Sequence, residues 1–107
     1  MPTDIDGFME FNDRLYIFIE SKYGDAPMPY GQRLALERVT DAVEKAGKPS
    51  YCLIASHDTK SDEDIELAKS LVTSVRHDGE WHPVTREKTV REIMDLLIGK
   101  HVPEYLD

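Results

Sequence analysis

The stretch that decides the fold is Asp4-Ile5-Asp6-Gly7-Phe8-Met9-Glu10-Phe11, then Asn12-Asp13-Arg14, then Leu15-Tyr16-Ile17-Phe18-Ile19-Glu20-Ser21-Lys22. Two short apolar segments, 7–11 and 15–20, flank a polar cluster of the kind that closes a hairpin, so the reading is a pair of antiparallel strands. If the three-residue loop is closed by Phe11 and Leu15, the register sets Gly7 against Ile19 and Asp6 against Glu20. Glu20 and Lys22, two apart on one strand, leave the same face about 7 Å from each other. Opposed side chains have Cβ atoms about 5 Å apart, and two carboxylates that close repel unless a cation sits between them. A hard divalent ion with oxygen ligands answers that repulsion. Mg2+ or Mn2+, keeping several waters, is the kind of ion held by two carboxylates and a substrate phosphate. Lys22 beside it would orient a water or stabilise developing negative charge, which makes phosphodiester hydrolysis the expected chemistry. The plainer alternative is that Asp4 and Asp6 begin a strand, Glu20 pairs with Lys22 or Arg14, and the group is a solvated edge.

Outward from the hairpin, two prolines and two glycines between Tyr23 and Gly31 predict a loop. From about Gln32 the apolar residues Ala35, Leu36, Val39, Ala42, Val43 and Ala46 recur at three and four, the period of one helical stripe. Gly47 is the expected C′ residue, and Pro49 prevents continuation. The apolar run 51–55 suits a strand covered on both faces, and its place after a helix predicts a parallel crossover onto the hairpin. Ser61 with Asp62, Glu63 and Asp64 suggests the cap of a short helix. From about Leu71 through His77-Asp78-Gly79-Glu80 to Trp81 a second hairpin is expected. Thr89 with Glu92 forms a capping-box pattern, and Val90, Ile93, Met94 and Leu97 give the helix behind it one apolar face ending near Gly99. Residues 101–107 read as a tail that is loosely held or docked on a partner. The expected fold class is therefore α/β: a hairpin, crossover helix and parallel strand, a second hairpin and a carboxyl-terminal helix, in one domain over residues 1–107.

The ordered set of Asp6, a hairpin, Glu20-Ser21-Lys22, the Gly31-Gln32 helix and the apolar strand after it resembles the PD-(D/E)XK, or restriction-endonuclease-like, nuclease superfamily over residues 4–56. The likeness is nearest to its small phage and resolvase-like members, including the VRR-type nucleases. The resemblance implies that Asp6, Glu20 and the backbone carbonyl of Ser21 are metal ligands, Lys22 the catalytic lysine, and Gln32 an auxiliary residue at the helix start facing the site. It also implies Mg2+ or Mn2+ as cofactor and DNA, branched or single-stranded, as substrate. The family's usual amino-terminal helix and strand have no counterpart in the three residues ahead of Asp4, so the layer would come from a second subunit, from the carboxyl-terminal half, or not at all, and a homodimer is expected. Leu36 stands where some relatives carry a tyrosine.

Composition bounds these readings. The 107 residues hold 13 Lys plus Arg against 21 Asp plus Glu, a net charge of −8, with 40% hydrophobic and 32% charged residues. A chain this short supports one core. No apolar run approaches the roughly 20 residues that cross a bilayer, and the amino terminus lacks the pattern of a signal peptide, so a cytoplasmic location is expected. Cys52 is alone, which excludes an intramolecular disulfide and a multi-thiolate zinc site. The acidic balance argues against a general nucleic-acid coating protein, although a bound metal ion reverses the sign locally. The same balance supports an alternative: a catalytically inert nuclease-like module, such as a phage or mobile-element protein that blocks a basic host factor.

The remaining candidates each have an ordinary reading. Arg33, Arg38, Lys45 and Lys48, with Lys22, are the expected phosphate contacts or else a solvated helix face. Tyr23 and Tyr30 bracket the loop and would stack on a strand or pin the loop. His57 and Asp58 follow the parallel strand, where ligands collect in open α/β sheets, but suit a loop equally. His77 and His82 flank the second turn without a third ligand nearby in sequence, so a surface role is expected. Trp81 is expected to anchor its hairpin to the core, with base stacking as the alternative.

Overall fold

A computed structural model describes residues 5–58 and 66–106. The first hairpin joins strand β1 (Gly7–Glu10) to strand β2 (Tyr16–Tyr23). Asn12 and Asp13 take φ values of 50° and 61°, left-handed conformations that their short polar side chains tolerate, and Arg14 N–H closes the turn on the Phe11 carbonyl at 2.9 Å. The register is the expected one: Gly7 faces Ile19 and Glu10 faces Tyr16. β2 carries both Glu20 and Lys22, as expected, and its other edge is satisfied as far as Tyr23 by strand β3 (Ser50–His57), parallel to it.

The crossover between them is helix α1 (Tyr30–Lys45), which starts two residues earlier than the apolar period indicates, directly after Pro29. Its end is as read: Gly47 adopts φ 86°, a conformation that costs glycine nothing. Strand β4 (Leu71–His77) and strand β5 (Glu80–Pro83) form the second hairpin, turning on Asp78 and Gly79, both at positive φ. The sheet is mixed, in the order β1-β2-β3-β4-β5, and only β2 and β3 are parallel. Helix α2 (Val90–His101) opens on the Thr89–Glu92 capping box. It passes the expected stop at Gly99, since Ile98 and Val102 are anchored in the core and Leu106 packs over the position a Gly99 side chain would occupy.

Alternation along the strands divides the core in two. Ile17, Ile19, Leu53 and Ala55 pack against Val90, Ile98 and Val102 on the α2 face, while Phe18 and Cys52 meet Leu36 on the α1 face. Each fully buried aliphatic side chain contributes about 1.5–3 kcal/mol. Cys52 is a packing residue, its thiol pushed up to about 12 by burial.

The carboxyl-terminal segment corrects the expectation of a loose tail. Pro103–Leu106 forms a 3-10 turn on its own chain, tied by Arg14 Nη1 to Glu104 at 2.6 Å and by the edge of Tyr105 against Phe11. The short helix expected at Ser61 lies outside the described residues. A 3-10 turn at Leu67–Lys69 precedes β4. No helix among the described residues is long and apolar enough to cross a membrane.

Candidate active site

Glu20 and Lys22 occupy the far half of β2, on the α1 face, where β1 has already ended. Glu20 is only 4% exposed. Its Oε1 accepts a hydrogen bond from Gln32 Nε2, and the carbonyl of the same amide, Gln32 Oε1, accepts from Lys22 Nζ at 2.8 Å. Gln32 thus bridges acid and amine, and its amide has one sensible orientation, NH2 toward the carboxylate and oxygen toward the ammonium. α1 delivers it because the helix begins so soon after Pro29 that its first turn lies over the end of β2.

Asp6 lies one residue beyond the Gly7–Ile19 pair, and its Oδ2 accepts from the Ser21 backbone N–H at 2.8 Å. The carboxylate takes the place of the next ladder bond. In a strand the N–H and C=O of one residue leave on the same side, so the Ser21 carbonyl also faces Asp6. Burial raises the Glu20 pKa above its ordinary value and the Asp6 charge adds to the rise, against the pull of the Asp6 backbone N–H, of Lys22 and of Gln32. The second Glu20 oxygen, Oε2, is buried without a hydrogen-bond partner among the described residues. An orphaned carboxylate oxygen, with the Asp6 charge near enough to raise its pKa, fits a hard divalent cation, which takes oxygen donors.

The other candidates fall in different places. Tyr30, the first residue of α1, is 78% exposed. Arg33 is half-exposed, bonded to Glu37 at 3.2 Å, with its guanidinium 5.7 Å from the centre of the Trp81 ring. Arg38 and Lys45 are exposed along α1, and Lys45 lies 13 residues beyond Gln32, about 20 Å along the axis. Lys48 pairs with Asp13 at 2.8 Å, at the first hairpin turn, and does not join the site. Tyr23 meets His57 edge-on, but His57 is the last residue of β3 and alternation sends it to the α2 face, away from Glu20; Asp58 is exposed beyond it.

At the opposite end of the sheet His77 finds the acidic neighbours that local sequence did not indicate, Glu44 of α1 at 3.6 Å and Asp78 at 3.2 Å. Thirty-three positions separate Glu44 from His77, and no spacing rule spans that distance. His82 is exposed, with its ring nitrogen 3.2 Å from the His77 carbonyl. Trp81 joins the α1-face core and donates its indole N–H to Glu37 at 2.6 Å, beside Arg76, which grips Asp41 through two bonds of 3.1 and 2.7 Å. No protein-family model, curated protein or solved structure matches the chain.

Proposed function

We propose that the chain is a metal-dependent nuclease that hydrolyses phosphodiester bonds of DNA on a restriction-endonuclease-like core. The observation that carries the reading is Glu20: a buried carboxylate with an unpartnered oxygen, under the influence of the Asp6 charge and linked through Gln32 to Lys22. The β1-β2-α1-β3 unit with its parallel crossover supports the fold assignment.

Asp6, Glu20 and the Ser21 carbonyl are the groups that would hold the ion. A bound Mg2+ or Mn2+ supplies a polarised phosphoryl oxygen and a water of lowered pKa. Lys22 is tied to the neutral Gln32 carbonyl and not to Glu20, so its remaining donors are available to a phosphate oxygen or a water. As an ammonium it donates only, and its part is to stabilise negative charge as the phosphorus–oxygen bond breaks. Gln32 fixes the separation of acid and amine. Arg33 and Tyr30, exposed at the head of α1, would meet the flanking strand.

Branched, single-stranded and duplex DNA incubated with the pure protein and Mn2+ test the reading. Cleavage is expected, with losses of about a hundredfold or more in Glu20→Ala and Lys22→Ala. Equal cleavage by wild type and Glu20→Ala refutes it. The charge of −8 favours one rival, an inert module that offers its acidic surface to a basic protein. Calorimetry separates the two: Mn2+ binding that Asp6→Ala abolishes belongs to the nuclease, and absence of heat at millimolar ion belongs to the module.

A further inference from the structure

Next to the carboxylate and lysine site, the α1 face of the sheet stays partly open. Ile54 neighbours Glu20 across the parallel ladder, and Ser74 neighbours Ile54 across the antiparallel one. Both are only half-buried, although Leu53 and Ala55 on either side of Ile54 are sealed. The β3–β4 register slips between Ile54 and Ala55, leaving Thr73 as an extra residue whose hydroxyl bonds the Ile54 carbonyl at 3.2 Å. Such bulges bend a strand and re-aim its side chains. Over the opened face lies a cavity of about 200 Å³ walled by Met28, Arg33, Ile54, Ser74 and Trp81.

We propose that this cavity receives one unstacked nucleobase of the strand whose phosphate is handled by Asp6, Glu20 and Lys22, an inference that rests on the nuclease reading and narrows its substrate to single-stranded or flipped-out nucleotides. Three observations converge. The walls are of the kind that bind bases: an indole, a guanidinium and two apolar side chains, with the Ser74 hydroxyl as a polar group. Trp81 is held in place by Glu37, which takes its N–H, so the ring is a fixed platform. Arg33 now lies over that ring, and its other tie is a half-exposed i,i+4 pair with Glu37, a weak tether. The guanidinium is therefore free to stack on an arriving base or to move to its phosphate. The distance also suits: neighbouring strands are about 4.8 Å apart, so the cavity floor lies one and two strands from Glu20, a reach that a single nucleotide covers. A base inside a duplex is stacked and paired, and reaches such a cavity only after extrusion.

Trp81 is the sole tryptophan, so its fluorescence reports the cavity directly. Thymidine 5′-monophosphate and 2-deoxyribose 5-phosphate carry the same phosphate, differ by the base, and contain no phosphodiester bond to cleave. Titrated at low salt with Mg2+ and again with chelator, the nucleotide is expected to quench Trp81 saturably and to bind about tenfold tighter than the sugar phosphate. Ser74→Leu, which fills the cavity, is expected to remove both the quenching and the preference, with an unchanged far-ultraviolet circular dichroism spectrum showing that it folds. Equal affinity for the two probes without quenching overturns the proposal; this wild-type comparison decides the matter even if Ser74→Leu does not fold. The two readings fail separately: base-dependent quenching without metal-dependent cleavage keeps the cavity and removes the nuclease, and cleavage without base preference does the reverse.

Discussion

Glu20 is where stability and proposed function oppose each other. Without an ion the ionised carboxylate is buried, has one oxygen without a partner and feels the Asp6 charge, a combination that burial and like charge make unfavourable. Its pKa in the folded chain lies above the ordinary value, so its contribution to stability is fully present below the ordinary carboxylate range and is lost as pH rises through the raised pKa. Glu20→Gln removes the charge and keeps a hydrogen-bonding group for Gln32. At pH 7 the variant is expected to be more stable by about 1 kcal/mol, a rise of roughly 4–8 °C in melting temperature, with the gain fading toward pH 4. Mn2+ is expected to raise the melting temperature of wild type by linkage and to leave the variant unmoved. Thermal melts at both pH values, with and without the ion, check this, and a variant less stable than wild type at pH 7 refutes it. The hairpin register was legible from Gly7–Ile19 to Glu10–Tyr16, since one loop length fixes every pair. The burial of Glu20 was not legible, because it depends on how soon α1 starts after Pro29 and therefore on Gln32 closing over it.

At the scale of elements, period and punctuation were read correctly wherever the deciding forces are local: Asn12 and Asp13 at the turn, Gly47 after α1, Thr89 with Glu92 before α2. The departures come where distant packing decides. α2 runs past Gly99 because Ile98 and Val102 are anchored in the core. That longer helix places His101 against β3, where its Nε2 lies 2.8 Å from the Tyr51 hydroxyl, near His77 and the acidic pair Glu44 and Asp78. A helix carboxyl terminus favours a charged histidine. Burial opposes it here, and with the neighbouring Lys100 and His77 charges it holds the His101 pKa below the ordinary value. The stability contributed by neutral His101 is therefore present above pH 6.5 and lost as pH falls through the depressed pKa. Wild type is expected to lose stability between pH 6.5 and 5 more steeply than His101→Gln, as measured by urea unfolding at half-unit intervals. Parallel pH profiles would show that His101 is not the group responsible.

For the whole molecule the question is how a chain of net charge −8 would hold a polyanion. Affinity for nucleic acid ordinarily comes from many Lys and Arg contacts that release counterions, and binding then weakens steeply with salt. Here the cations are dispersed: Lys48 is spent on Asp13, Arg76 on Asp41, Arg14 on Glu104. Among the described residues near Glu20 the cations are Lys22, bonded to the Gln32 carbonyl, and Arg33, in a half-exposed pair with Glu37, so phosphate binding would rest on these two, on the divalent ion and on the base in its cavity. With about two phosphate contacts to a single strand, the slope of log affinity against log salt is expected to be near −1 to −2. Affinity is also expected to fall when the divalent ion is chelated, since Asp6 and Glu20 then face the phosphate with their charges uncompensated. Fluorescence anisotropy of a labelled oligothymidylate across a salt series, with Mg2+ and with chelator, measures both. A slope steeper than about −4, or an affinity indifferent to the ion, would place the binding on a basic surface elsewhere on the chain and detach it from Glu20.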